Sequence, residues 1–405
     1  MQSRSSLAGW GIVAICFAVL SISAAARSIL GLSMPYLERE LGWTRGFISS
    51  GGALSMIVMA LVAPVAGNMI DRFGARVLLF FGLAAVALGM GLAAAMQTPW
   101  QFLLAFGGIA GVGFGMAATH AVSTIVSLRF TENRGLAVGA ATGGSTAGQL
   151  VVVPLLAAVL LHSDWRWSYL ALGSTAMIMA LLVLVVIRPQ KPRTAGTRYE
   201  KVPFLLETAR LFRLPVFHLL LWSYVICGFT TSGIIEVHLL PYAAACGFPP
   251  MESATAYGVL SAVNLGGMVL AGWLTDRMSR PLLLAGIYVF RGFAFILLIW
   301  AARDIQLLFA FAVLFGLTDY ATVPVTASLA ASHIGLRVMG LTMGLLSAGH
   351  SLGAALGAYA AGQLYDLLAQ YFWVWVVALA LAILAGVLSF AITENRRPIA
   401  LGTAA

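Results

Sequence analysis

Residues 67–79 read "GNMIDRFGARVLL", and residues 272–284 read "GWLTDRMSRPLLL". Each stretch is a short charged turn between two long apolar runs. At an offset of 205 positions, Gly67, Asp71 and Arg72 fall on Gly272, Asp276 and Arg277. A second region keeps the same offset, with Gly135, Gly139, Gly144 and Gly148 falling on Gly340, Gly344, Gly349 and Gly353. The chain is therefore two copies of one unit, each about half its length. The second turn is degraded, since Ser279 stands at the counterpart of Gly74.

Composition names the solvent around those apolar runs. Of 405 residues, 61% are hydrophobic and 9% charged, and the mean hydropathy is +0.96. Soluble domains carry roughly 25% charged residues, so lipid is the expected surroundings. At roughly 20 residues per spanning helix, apolar spans are expected at 8–37, 46–70, 77–97, 100–128, 135–161, 166–187, 214–241, 253–275, 281–301, 305–331, 338–365 and 370–392. Their length reads as helix, because barrel strands would be shorter and would alternate. The expected fold is an all-α membrane protein of twelve transmembrane helices. It divides into a six-helix bundle over 1–187, a cytoplasmic linker over 188–213 and a second six-helix bundle over 214–405. Six spans separate the copies, so the halves run parallel. Halves of this kind hold substrate near the bilayer midplane at their interface.

Lysine and arginine bias orients the chain. With the N-terminus inside, seventeen of the 23 basic residues fall on inner segments and four on outer ones, while Arg27 and Arg291 lie within spans. Both termini are expected to be cytoplasmic. The basic residues sit in short loops and form no single stripe, which argues against nucleic acid. Cys16, Cys227 and Cys246 show no paired or metal-ligand spacing. No metal, cofactor or enzymatic centre is expected: there is no nucleotide loop and no nucleophile–base pair. The stretch "CFAVLSISAAARSIL" also imitates a secretion signal ending in three alanines behind Arg4. Cleavage after Ala26 would leave the first half with five spans and break the repeat. Arg27 is therefore expected inside a membrane helix.

Four formal charges fall within apolar spans: Arg27, Glu236, Arg291 and Asp319. Each costs roughly 2.5–3.5 kcal/mol at a helix centre. Their counterparts in the repeat are Ser232, Gly31, Val86 and Phe114, so none is duplicated. Scaffold needs tend to be shared by two halves, whereas a substrate and a coupling ion break the symmetry. At about 1.5 Å per residue, Arg27 lies about 16 Å below the outer end of its span, Arg291 about 15 Å above its inner end, and Asp319 about 22 Å deep. Those depths suggest an Arg291–Asp319 pair, read either as a structural salt bridge or as part of proton coupling. Arg27 offers a planar fork suited to a carboxylate, with a structural pair to Glu236 as the alternative. Glu236, near the outer end of its span with His238, is a candidate proton carrier or an outer-gate hydrogen bond. His120 and His350 interrupt apolar faces and read either as packing residues or as donors to an anion. Gln149, Asn264, Tyr320, Tyr224 and Tyr257 are weaker cavity candidates. Gly107, Gly111 and Gly115, then Gly135, Gly139 and Gly143, then Gly349, Gly353 and Gly357 form smooth stripes at four-residue spacing. Such stripes let helices approach closely and slide.

Together, the twelve spans, the 6+6 repeat, the basic central linker and "GNMIDRFGARVLL" resemble the major facilitator superfamily over essentially the whole chain. The resemblance implies that Asp71, Arg72 and Arg76, with Asp276 and Arg277 in the second copy, latch the cytoplasmic side of an outward-open state. It also implies that the first span lines the central cavity and that the ninth is peripheral. "PYLERELGWTRGFIS" (35–49) and "RFTENRGLAVGAATGGSTAG" (129–148) resemble the monocarboxylate and oxalate/formate porter branch. Those relatives often carry an arginine in the eighth span or a lysine in the eleventh. Here the polar interior residues of those spans are Asn264 and His350. The contiguous Gly-Pro motif of proton-antiport drug exporters is absent, since Pro154 follows Val153.

The function so implied is proton symport of a small organic anion, a monocarboxylate, by rocking of the two halves. Arg27, His120, Gln149, Asn264, Tyr320 and His350 would bind substrate. Glu236, Asp319 and Arg291 would couple the proton. The alternative is proton-driven export of a hydrophobic or drug-like compound. The expected setting is a monomer in a bacterial inner membrane, with protons, the anion and lipid as its partners.

Overall fold

The computed structural model describes residues 2–43, 45–152, 155–156, 163–187, 203–301 and 304–394. Backbone N–H and C=O groups in hydrocarbon must find partners within their own segment, and among the described residues the long apolar runs are accordingly helical. The helices are α1 (Gln2–Leu41), α2 (Arg45–Phe73), α3 (Ala75–Ala94), α4 (Pro99–Arg129), α5 (134–152) and α6 (Trp165–Val186). Then follow α7 (Pro215–Ala243), α8 (Pro250–Thr275), α9 (Arg280–Ala301), α10 (Ile305–His333), α11 (Met339–Leu368) and α12 (Phe372–Phe390). Among the described residues, ten helices are long and apolar enough to cross a bilayer. The helical runs α5 and α11 stand at the places of the fifth and eleventh expected spans. Pro154 and linker residues 188–202 lie outside the described residues.

The end of the expected linker is not a loop. It folds as a short helix, Phe204–Leu211. The segment "FLLETARL" is amphipathic; it buries Leu211 and pairs Glu207 with Arg337 at 2.9 Å. Two spans expected to be continuous, α4 and α10, are each interrupted part-way, at Ala117–Ala118 and at Asp319–Ala321.

The two halves repeat their internal packing. In the first, α5 lies so close to α1 that a Cβ at Gly144 or Gly148 would overlap the carbonyls of Phe17 and Ser21. In the second, Gly353 and Gly357 of α11 meet the carbonyls of Val225 and Phe229 on α7 in the same way. The stripe Gly107, Gly111 and Gly115 takes α2 against Leu54, Ser55 and Val62. These glycines act as close-approach surfaces, for which any side chain would force the helices apart.

The seam between the halves is built from the repeated glycines. Gly67 on α2 and Gly340 on α11 face each other backbone to backbone, as do Gly135 on α5 and Gly272 on α8. Two carboxylates lock the crossings. Asp71 accepts from the N–H groups of Gly340 and Leu341, both at 3.0 Å. Asp276 accepts from Gly135 and Leu136 at 2.9 and 3.0 Å. Each carboxylate thus caps the unsatisfied N–H groups at the start of a helix in the opposite half, where the helix dipole also favours negative charge. Arg72 turns back onto Asn68 at 3.1 Å, and Arg277 lies 4.1 Å from the ring centre of Trp273. Arg76 is half-buried beside the first turn.

The repeat explains its own imperfection. Gly74 alone connects α2 to α3 and takes φ +82°, which favours glycine. The α8–α9 connection runs over Asp276–Ser279 with no left-handed residue, so Ser279 is tolerated. At the same end, the lower part of α4 and α5 packs on the Thr322–His333 part of α10. The far end of α7 keeps its main contacts within its own half. The halves are therefore closed at the end that carries the two charged turns.

Loss of one such cap costs about 0.5–2 kcal/mol. The double variant Asp71→Ala/Asp276→Ala should widen the distance between spin labels placed at Glu132 and Met278, measured by pulsed electron resonance in a Cys246→Ser background. An unchanged distance distribution would show that the carboxylates do not hold the seam.

Candidate transport site

The site begins with a fault in α10. Pro324 has no N–H to give, and its ring clashes with the carbonyl four residues back, that of Tyr320. The helix stops at Thr318 and restarts at Thr322. Carbonyls before the break lose their intrahelical partners in a region without bulk water. Arg291, fully buried on α9, supplies them. One guanidinium nitrogen donates to the carbonyls of both Thr318 and Asp319. Another donates to Cys227 Sγ at 3.1 Å and Thr231 Oγ1 at 3.0 Å on α7. The rings of Tyr288 and Phe315 flank the cation at 5.4 and 5.6 Å.

The expected pairing of Arg291 with the Asp319 carboxylate is therefore corrected. The arginine takes the backbone of Asp319 and not its side chain, because the broken helix presents carbonyls that have no other donor. The carboxylate turns to α8 instead. Its Oδ2 accepts from Asn264 Nδ2 at 3.2 Å, while Oδ1 is buried without a partner. Asn264 also accepts the orphan N–H of Tyr320 at 3.2 Å and donates to Thr146 Oγ1 of α5 at 3.3 Å.

From Tyr320 the polar chain continues. Its hydroxyl donates to Glu236 Oε1 at 2.8 Å, and Ser232 donates to the same oxygen at 3.2 Å. Ser232 lies in a π-helical stretch of α7, Phe229–Ile235. Such stretches re-aim side chains and recur at functional sites. Four of the expected residues, Asn264, Asp319, Tyr320 and Glu236, thus form one hydrogen-bonded chain.

Other expected residues stand apart from that chain. Arg27 is half-buried on α1 and makes no hydrogen bond or ion pair with any described residue, so the alternative Arg27–Glu236 pair does not form. His120 follows the break in α4, is 3% exposed, and leaves both ring nitrogens unpartnered. Gln149 is exposed on α5. His350 is half-buried against Tyr224, their ring centres 5.0 Å apart. His238 is a packing residue, bonded to the carbonyl of Ala358 at 3.0 Å. Thr146, Cys227, Thr231 and Ser232 were not among the site residues expected from sequence, where small polar residues in apolar runs carry no distinctive signal. Pro324 in "TDYATVP" is the one mark that could have announced the break.

Two parallel helical halves, closed at one end and carrying a broken, ion-bearing helix at mid-depth, define a polytopic membrane transporter. The family model of the Major Facilitator Superfamily matches residues 16–304 and 269–404. The chain is 27% identical to an uncharacterized MFS-type transporter, YcxA, of Bacillus subtilis, over 85% of each chain. It is 26% identical to human monocarboxylate transporter 11 over 90% of this chain and 79% of that one. Among solved structures, the proton:xylose symporter XylE superposes with a TM-score of 0.78 at 14% identity, covering 97% of both chains. The chain belongs to the major facilitator superfamily, an integral membrane transporter and not an enzyme.

Arg291→Leu would leave two buried carbonyls unpartnered, at about 1–3 kcal/mol each. A drop in the detergent melting temperature of roughly 5 °C or more is expected. Adding Asp319→Asn should not restore it, since the arginine does not pair with that carboxylate. Recovery in the double variant would reinstate the ion pair.

Proposed function

We propose that this transporter carries a small organic anion, a monocarboxylate, by proton symport and alternating access. One observation carries the reading. Of the two arginines embedded in the apolar helices, Arg291 binds the broken helix through one terminal nitrogen and Cys227 and Thr231 of α7 through the other, whereas Arg27 has no partner among the described residues. An unpaired guanidinium at membrane depth is costly unless it meets an anion or water. Its flat fork matches a carboxylate with two parallel hydrogen bonds.

By the 205-residue offset, Arg27 on α1 occupies the place of Ser232 on α7, the residue that holds Glu236. The cation of one half thus corresponds to the carboxyl-bearing site of the other. The similarity to a protein named a monocarboxylate transporter supports the same substrate class. His120, Gln149 and His350 are assigned to the substrate path. Asp319 and Glu236 are the proton carriers, while Arg291 holds the backbone around Asp319. Closure at the Asp71 and Asp276 turns, placed on the cytoplasm by the lysine and arginine bias, makes this the outward-facing state. The protein works as a monomer of two bundles, 1–187 and 214–405, in a bacterial plasma membrane with both termini in the cytoplasm.

Uptake of labelled L-lactate into proteoliposomes under an inward proton gradient tests the reading. Arg27→Ala should lower the initial rate by at least tenfold, about 1.4 kcal/mol, with Arg27→Lys intermediate. Normal transport by Arg27→Ala, or no competition from pyruvate, acetate or other monocarboxylates, would refute it.

A further inference from the structure

Asn264 is 3% exposed and uses its amide on three sides. Its nitrogen donates to Asp319 Oδ2 and to Thr146 Oγ1, while its oxygen holds the N–H of Tyr320. An amide has two N–H donors, and both are spent. Asp319 and Tyr320 share a half with Asn264, but Thr146 lies on α5 in the other one. The neighbouring crossings of α5 and α8 are glycine against backbone, Gly139 on Met268 and Gly135 on Gly272. The amide is thus a polar tie across the seam, beside the weak bond that the Thr146 hydroxyl donates to Met268 Sδ of α8 at 4.0 Å. It touches a carboxylate that has one oxygen, Oδ1, buried and unpartnered.

We infer that Asn264 is a positioning residue that transmits the protonation of Asp319 to the seam between the halves. With the carboxylate ionised, a charge-assisted bond fixes the amide plane, and the second N–H is held on Thr146. A proton can be added at Oδ1 without breaking any existing hydrogen bond. It comes from water on the open side and leaves to water on the other side once the halves have rocked. Its arrival turns Oδ2 into a neutral, weaker acceptor. The amide is released, the Thr146 contact is lost, and the seam is free to part. This rests on the reading that protons drive transport through Asp319.

The titratable and charged groups that interact electrostatically with Asp319 are Glu236 and Cys227 of α7, Arg291 of α9, Tyr257 of α8 and Tyr320 of α10 itself. Arg291 faces the backbone side of Asp319, and Glu236 reaches the neighbouring Tyr320. From α5 comes the uncharged Thr146. Glu236 is thus the nearest rival as the pH-sensing group.

Deuterium exchange of the peptides that contain Gly135–Leu136 and Gly340–Leu341 reports opening of the seam in the full-length protein without a substrate. After correction for the chemical exchange rate, lowering pH from about 8 to about 6 should raise exchange roughly threefold or more. Asp319→Asn should be high at both pH values. Asn264→Leu and the isosteric Thr146→Val should lose the pH step, while Thr146→Ser, which keeps the hydroxyl, and Glu236→Gln should retain it. A full step in Thr146→Val and Asn264→Leu would overturn the relay and leave Asp319 as the proton site. A full step in Asp319→Asn, or none in the wild type, would overturn the proton reading itself. Should Asn264→Leu fail to fold, the Thr146 pair decides alone.

Discussion

Two aspartates hold the structure in its present form. Asp71 and Asp276 each reach out of a short turn in one half and cap the first N–H groups of a helix in the other. The caps work only because Gly67, Gly135, Gly272 and Gly340 let the backbones approach so closely. A side chain at any of these positions would collide with a carbonyl, and the carboxylates would then hang short of their targets. These crossings hold the two halves together at the end that carries the charged turns.

The polar chemistry at mid-depth departs from this symmetry. The turns and glycines repeat at 205 positions, whereas Arg27, Glu236, Arg291 and Asp319 are each single. Scaffold and cargo have different requirements. Two matched halves suffice to rock, but an anion needs a cation on one side and a proton needs a carboxyl on the other. Arg291 shows that asymmetry alone does not mark a transport residue. One of its nitrogens holds the carbonyls of the helix broken by Pro324 and another ties that break to α7, contacts that stabilise an irregular backbone in the bilayer.

Much of the fold was legible in the sequence because two signals reinforced each other. Long apolar runs gave the spans, and the charged turn with its glycine register gave the repeat, including the correspondence of Gly135 with Gly340, the two positions that Asp276 and Asp71 cap. The interruptions of α4 and α10 were not legible from hydropathy, since a broken helix is as apolar as a whole one. For the same reason the partner of the Asp319 carboxylate was misread. Depth along an ideal helix brings Arg291 and Asp319 level, but only the break decides that the arginine meets carbonyls and the carboxylate meets Asn264. Thr146 was invisible to the sequence because a hydroxyl that satisfies itself on a helix carbonyl looks the same as one that ties two halves together.

The central claim is that an anion and a proton cross together. It is tested most directly with a pH-sensitive dye trapped inside proteoliposomes, at equal pH on both sides and with the voltage clamped to zero. External L-lactate should acidify the interior faster than in protein-free vesicles or vesicles carrying Arg27→Ala. Lactate entry with no acidification beyond those controls, or acidification equal in all three, would contradict proton-coupled transport by this protein.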